Sequence, residues 1–259
     1  MKQQLIITYY HHSGFSVHDG DILLVFDYWR GEHNDVPEGK GITRETLRSF
    51  RKVIVFISHE HPDHMDPVVF SWRDEPNVSY VMSGDLPESA DNLPLDFGRR
   101  LNPGDEYTIQ SNLKVWTFGS TDLGVSFLVE FNGIMLFHAG DLNFWHWRDE
   151  ATVAEIDQAD QDFRRELEPL KGHEVDVAFF PVDPRQGQMY DAGANYFIMT
   201  VKPRLLIPMH FWRRGDLMQE FARRSRSSET EIIALTHLEE QMLVSMDESS
   251  IMNVTLALP

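Results

Sequence analysis

The chain contains no cysteine. A disulfide framework, a thiolate metal site and a cysteine nucleophile are all excluded. It also lacks any apolar run near the roughly 18–20 residues that span a bilayer, so no membrane contact is expected. The N-terminal MKQQLIITYYHHSG has one lysine and a short apolar run, without the apolar centre and small-residue cleavage site of a secretory signal. A cytoplasmic location is the expectation. Positive charge is scarce: 23 lysines and arginines face 41 aspartates and glutamates, a net charge of −18. Such a surface repels phosphate backbones, and nucleic acid is not an expected partner. The dense basic clusters are Arg213 and Arg214 in HFWRRGD and the run RRSRSS at 223–228, the second read as a solvated helix end.

Several catalytic signatures are missing as well. A zinc-protease HExxH would need histidine at 63, where the chain has Asp63. No P-loop, dinucleotide fingerprint or GxSxG nucleophile elbow occurs. Repeats, low-complexity tracts and Gly/Ser linkers are absent. The Pro-, Gly- and Asp-rich stretch 84–100 interrupts a strand pattern that resumes on both sides. It reads as a long surface loop within one domain spanning 1–259.

What is present is a globular composition, 42% apolar and 25% charged over 259 residues, enough to bury a sizeable core. Patterning predicts strands at about 4–10, 14–18, 22–26, 53–57, 78–82, 113–118, 125–131, 134–138, 175–180, 204–208 and 231–235. One or two more are expected in 241–257. Helices are predicted at 43–50, 151–170, 190–200 and 216–224. In the longest, Val153, Ile156, Phe163, Leu167 and Leu170 recur at three- and four-residue steps or their sum, and Pro169 marks the end. Antiparallel strands early in each half, then strand–helix alternation, imply an α/β fold of two sheets covered by helices.

Six apolar strands, far apart in sequence, run into an imidazole, a carboxylate or both. DILLVFD ends in Asp27, and KVIVFISHEHPDH in His59, His61, Asp63 and His64. LKVWTFGSTD ends in Asp122, IMLFHAGD in His138 and Asp141, VAFFPVDPR in Asp183 and LLIPMH in His210. Sites assemble on loops at one edge of a sheet because the strands hold them rigidly. Imidazoles and carboxylates without sulfur suit divalent Zn, Mn or Fe, here one or two ions per chain. His59 and His61 stand two apart, so in extended chain they face the same way and can bite one ion. Asp63 continues that phase, and His64 faces elsewhere, toward a second ion. A lone histidine would be read as a surface or core residue; three with an aspartate inside six positions are read as ligands. Asp66 is read as a helix N-cap before Pro67.

HEHPDH is similar to the H-x-H-x-D-H pattern of the metallo-β-lactamase superfamily, which the chain resembles along nearly its whole length. FHAGD resembles the family's later motif, whose aspartate bridges two metals, a role that would fall on Asp141. IPMH resembles the final motif, whose histidine, here His210, completes the second site. ITYYHHSGFSVHDGDILLVFD is similar to the opening hairpin of the subgroup that includes ascorbate-6-phosphate lactonases, with His12 and Asp27 at its recurring histidine and aspartate. The resemblance implies a four-layer αββα sandwich of two mixed sheets flanked by helices, with metals at one sheet edge. It also implies a third histidine for the first metal, yet no histidine separates His64 from His138. Asp122, with Thr121 and Ser120 beside it, is the replacement candidate; its other reading is a turn residue. An aspartate there would shift preference from Zn toward Mn or Fe, or leave that site weakly filled.

Other residues carry paired readings. In AGDLNFWHWRDE, Trp145 walls a substrate pocket, or it anchors the following helix together with Trp147; His146 is a candidate proton donor. Arg185 either pairs with Asp183 or receives a substrate anion. His12, Asp27, His138 and Asp183 are expected to support the ligands from behind, His138 having as its other reading a core residue at a strand end. The expected activity is hydrolysis of a small ester, lactone or phosphoester by metal-bound hydroxide, with Asp63 or Asp141 orienting the nucleophile. An iron-dependent redox enzyme on the same fold and a non-catalytic metal-dependent binding protein are the alternatives.

Overall fold

The computed structural model describes residues 3–32, 35–37, 39–86, 98–225, 227–247, 249 and 251–256. Most of the expected 84–100 loop therefore lies outside the described residues. The chain divides into two compact units, Met1–Leu101 with Thr236–Pro259, and Asn102–Leu235.

The first unit contains β1 (Gln3–His11), β2 (Gly14–His18), β3 (Ile22–Phe26), β4 (Lys52–Ile57), β5 (Val78–Ser83) and β6 (Arg99–Leu101), with β14 (Gln241–Met246) and β15 (Met252–Leu256) returning from the C-terminus. They form a mixed sheet in the order β15-β14-β1-β2-β3-β4-β5-β6. Short turns make β1, β2 and β3 antiparallel, whereas β3 to β6 run parallel. Parallel strands covered on both faces need continuous apolar runs, and all of Ile22–Phe26 and Val53–Ile57 is buried. On one face Leu23, Val25, Val53, Val55, Ile57, Tyr80 and Met82 alternate inward and pack with Leu47, Phe70 and Trp72. Leu47 comes from α1 (Arg44–Arg48), which Thr43 starts with a capping box. Phe70 and Trp72 come from a 310 segment, Pro67–Asp74, capped by Asp66, whose carboxylate accepts the Val68 N–H at 2.9 Å.

The second unit contains β7 (Glu106–Gln110), β8 (Leu113–Phe118), β9 (Ser126–Phe131), β10 (Ile134–His138), β11 (Val177–Pro181), β12 (Leu205–Met209) and β13 (Glu231–Ile232), in the order β13-β12-β11-β10-β9-β8-β7. β7 to β10 form an antiparallel meander, and β10 to β13 are parallel. The β9–β10 turn is Asn132-Gly133, with φ of 52° and 77°. Both φ values lie in the left-handed region that the twist of a two-residue hairpin demands. Helices α2 (Val153–Leu167), α3 (Ala192–Val201) and α4 (Gly215–Arg224) accompany the parallel half. A Thr152–Glu155 capping box fixes the start of α2. Phe163, Leu167 and Leu170 are buried as the periodicity predicts, but Val153 is 75% exposed. The cap, and not apolar packing, sets the first turn. No helix among the described residues is long and apolar enough to cross a membrane.

Candidate functional site

In the first unit β3 and β4 are parallel neighbours with Phe26 opposite Phe56, so their C-terminal ends lie side by side. The Asp27 N–H donates to Phe56 O at 3.1 Å, and the chain then turns sharply, with Asp27 at φ 40°. The Asp27 carboxylate is fully buried. It accepts the Ser58 N–H at 2.8 Å, the Ser58 hydroxyl at 2.6 Å and His64 Nδ1 at 2.8 Å. Because the Ser58 proton is committed to Asp27, its Oγ accepts from His59 Nδ1 at 2.9 Å. Asp27 thus fixes two imidazoles, one directly and one through Ser58. Both rings keep the Nε2 lone pair, the tautomer a metal ligand needs.

A tight turn follows, in which the His64 N–H donates to His61 O at 2.9 Å. His59 Nε2 and His61 Nδ1 are 3.1 Å apart. His12, in the β1–β2 turn, has a completely buried ring, and its Nε2 lies 3.2 Å from Asp63 Oδ2. One ligand atom each from His12, Asp63 and His64 lies within 4.8 Å of the others.

In the second unit the parallel register sets His138 opposite Phe179 and Pro181 opposite Met209. Asp141, Asp183 and His210 follow directly on these ends. The fully buried Asp183 accepts His210 Nδ1 at 3.0 Å. It also accepts Arg185 Nε at 2.9 Å and Nη2 at 2.5 Å in a fork. Burial pushes this carboxyl up, but the hydrogen bonds from His210 and Arg185 outweigh it and hold the pKa down to about 2. An ionised Asp183 keeps the His210 proton on Nδ1 and leaves Nε2 to face Asp141 Oδ1 at 3.3 Å. Two donors on one tetrahedral ion, bound at about 2.0–2.1 Å, sit about 3.3–3.4 Å apart. The His59–His61, His12–Asp63 and His210–Asp141 separations all fall near that edge length, so these residues fit a divalent ion.

The remaining predicted residues take varied places. His138 Nδ1 accepts the Gly140 N–H at 3.2 Å, holding the turn that presents Asp141. Asp122 is exposed in the STDLG turn, with its N–H on Ser120 Oγ at 3.3 Å; it is not among the side chains whose ligand atoms converge. Its neighbour Thr121 reaches inward instead, donating to Asn143 O at 2.7 Å. Trp145 and Trp147 are half-buried and stacked on each other, 5.9 Å between centroids at 4°. Trp145 Nε1 donates to Asp141 O at 3.1 Å, and its ring meets His210 edge-on at 5.6 Å. His146, between them in sequence, packs edge-on against Phe144 at 5.0 Å, its buried Nδ1 without a hydrogen-bond partner among the described residues. Arg185 is in the ion pair with Asp183, its guanidinium 4.7 Å above the Trp212 ring. A cavity of about 240 Å3 opens beside this segment, lined by Thr121, Asn143, Trp145, Glu155, Gln158 and Asp162. Sequence reasoning missed Ser58; its one signal was its place between a buried strand and His59.

The sequence model of a beta-lactamase superfamily domain matches residues 6–210. No curated protein matches the chain in sequence. Among solved structures, the chain is similar to a metallo hydrolase from the hyperthermophilic archaeon Ignicoccus hospitalis. That likeness has a TM-score of 0.65 at 18% identity, covering 93% of this chain and 98% of that one. The metallo-beta-lactamase fold protein YhfI from Bacillus subtilis gives 0.61 at 13% identity, over 94% and 99%. CmlA, a diiron β-hydroxylase from Streptomyces venezuelae, gives 0.57 at 12% identity, over 92% of this chain and 53% of that one. At such identities these likenesses speak for the fold alone, two mixed sheets with flanking helices. The family match, which spans every candidate ligand from His12 to His210 and well over half the chain, carries the assignment: the chain belongs to the beta-lactamase superfamily.

Proposed function

We propose that the chain is a metal-dependent hydrolase acting on a small ester, lactone or phosphoester. The observation that carries this reading is the preset state of the imidazoles. His59, His64 and His210 each have Nδ1 tied to Ser58, Asp27 or Asp183, so each presents Nε2 without rearrangement. The family's motif order assigns His59, His61, Asp63, His64, Asp141 and His210 to one or two ions, with Zn, Mn and Fe all suited to this donor set. A bound divalent ion supplies Lewis acidity and lowers the pKa of its water to about 7.

The side chains do the rest. Asp63, partly exposed, orients the attacking water and accepts its hydrogen bond. His146 supplies a proton to the leaving group. Trp145 and the cavity beside it receive the non-reacting part of the substrate. Its acidic lining, Glu155 and Asp162, favours an uncharged ester or lactone over a phosphoester. Arg185 acts through Asp183, whose charge it secures, and Asp183 positions His210.

The test is a hydrolysis screen over p-nitrophenyl acetate, δ-valerolactone and bis(p-nitrophenyl) phosphate, with protein of measured metal content. Turnover is expected to disappear on chelation and in His59→Ala and Asp141→Asn. Activity unchanged in both variants, or no turnover by fully loaded protein, overturns the reading. Two carboxylates among the candidate donors favour one second reading, an iron redox enzyme. Predominant iron with colour in air, and no hydrolysis, would select it.

A further inference from the structure

His12 belongs to no recognised metal motif, and the sequence places it behind the ligands. Its geometry differs from that of a supporting residue. The supporting contacts are short: His64 Nδ1 to Asp27 is 2.8 Å and His210 Nδ1 to Asp183 is 3.0 Å. The His12–Asp63 separation is 3.2 Å and resembles the 3.3 Å of His210 and Asp141, two residues that the motifs assign as ligands. A charge-assisted N–H···O contact lies at about 2.7–2.9 Å, whereas co-ligands of a tetrahedral ion lie about 3.3–3.4 Å apart.

The backbone also singles His12 out. Its φ is 53°, in the left-handed region, and its N–H is anchored on the hydroxyl of buried Tyr9 at 2.9 Å. Trp29 packs edge-on against the ring at 5.5 Å. Gly14 completes the turn where a Cβ would come 3.0 Å from His11 O and 3.3 Å from Asp27 O. The hairpin therefore presses against the Asp27 turn and delivers an immobilised imidazole, itself unexposed, to Asp63 and His64. Strained backbone held this firmly is a recurring mark of functional positions.

We infer that His12 is a metal ligand, and that it makes the ion on Asp63 and His64 the more tightly held of two. The inference rests on the metal-dependent reading above. The first unit offers three donors to that ion, His12, Asp63 and His64, and two to the other, His59 and His61. The motifs add His210 to the former, which reaches the four protein ligands of a closed site before the bridging Asp141 is counted. They add the shared Asp141 to the latter, and the histidine missing between His64 and His138 belongs there. The poorer site keeps coordination positions for water and substrate, as catalytic sites do. The imidazole count is thus redistributed: one site is closed and retentive, the other open.

The experiment titrates chelated, intact protein with Co2+, following visible absorption, and with Zn2+ against a chromophoric chelator. Two equivalents are expected, the first the tighter. His12→Gln sets an amide near the imidazole Nε2, able to hydrogen-bond Asp63 but a poor ligand. It is expected to weaken the first equivalent by more than the roughly 10–100-fold that losing a supporting residue costs. The cobalt spectrum of that equivalent changes, and the second equivalent is spared. An unchanged first equivalent in His12→Gln makes His12 a hydrogen-bond partner only and overturns the inference. X-ray absorption of the unmodified protein at one equivalent of Zn2+ asks the same question without a variant: three imidazoles are expected, and two refute it. Every readout is binding or spectroscopy, so two bound ions without hydrolysis would sink the hydrolase reading and leave this one standing. Failure to bind any ion overturns both.

Discussion

Asp27→Asn isolates the part played by one buried carboxylate. Asp27 is fully buried at φ 40°, and asparagine tolerates the left-handed region as well as aspartate does, so the backbone is undisturbed. The side chain keeps its shape and loses its charge and one acceptor. Three donors converge on the carboxylate: the Ser58 N–H, the Ser58 hydroxyl and His64 Nδ1. An amide oxygen at Oδ2 serves the last two, and the NH2 then faces the Ser58 N–H. The opposite flip turns it toward both other donors. The cheaper arrangement strands one buried donor, about 1–3 kcal/mol, and weakens bonds whose acceptor was ionised, each worth about 1.5–3 kcal/mol. A loss of about 2–4 kcal/mol is expected in urea unfolding of the chelated protein. Metal affinity should also fall about 10–100-fold, because a neutral amide oxygen holds His64 and, through Ser58, His59 in the ligating tautomer less firmly than the carboxylate does. A zinc competition titration measures this. If Asp27→Asn lowers stability but binds zinc as the unmodified chain does, Asp27 is a structural acceptor only, and the orientation argument fails.

Asp183→Asn should likewise weaken zinc binding about 10–100-fold by releasing His210, with a smaller effect from Arg185→Lys, which keeps the charge but not the fork; equal affinities in all three proteins would contradict this. Burial raises the Asp176 carboxyl above its ordinary range, although it accepts the Met135 N–H and pairs with Arg204. The folded chain therefore holds this proton more tightly than the unfolded chain. The stability Asp176 contributes is complete below the unfolded pKa of about 3.9 and declines as pH rises through the raised folded value. Asp176→Asn should flatten that slope in urea midpoints measured across acidic pH. Thr152→Ala removes the hydroxyl half of the α2 capping box and should cost about 1 kcal/mol in thermal unfolding, whereas Glu155→Gln, which can still cap, should cost less.

The local parts of the site were legible in the sequence. The His59–His61 pair shares one phase of an extended segment, and the Asp66 cap sits against Pro67, so neither requires knowledge of the fold. The strands that end in ligands were legible because parallel strands are continuous apolar runs. β6, three residues long, and β7, with half-exposed alternation, carry too little apolar signal to detect. The 310 segments at Pro67–Asp74 and Pro184–Met189 have no 3.6-residue period to find. The Asp27–Ser58–His64 linkage joins positions 31 and 37 residues apart. It exists because β3 and β4 are in parallel register, which composition does not encode. Ligand chemistry alone favours Asp122 over Thr121; in the structure Asp122 is exposed, and it is the Thr121 hydroxyl that turns inward to bond the backbone after Asp141.

Among the described residues, seven other than glycine have positive φ, and His12, Asp27, His210 and Trp212 are four of them. His12, Asp27 and His210 each directly follow the last residue of a strand, and Trp212 stands three residues past one, as the chain leaves the hydrogen-bonded ladder. A sharp reversal there requires left-handed backbone, which costs a typical side chain on the order of 1 kcal/mol or more. Asparagine, aspartate and histidine are the non-glycine residues most enriched in that region. Aspartate and histidine are also the residues that hold hard and borderline divalent ions without sulfur. One residue type therefore meets two demands at a strand exit, the turn and the donor. In a chain without cysteine this links two observations made separately, the strand ends rich in His and Asp and the strained backbone at three such residues, His12, Asp27 and His210. The strain is sustained by the contacts beneath it: the Tyr9 hydroxyl under His12, Ser58 and Phe56 around Asp27, and Asp183 behind His210.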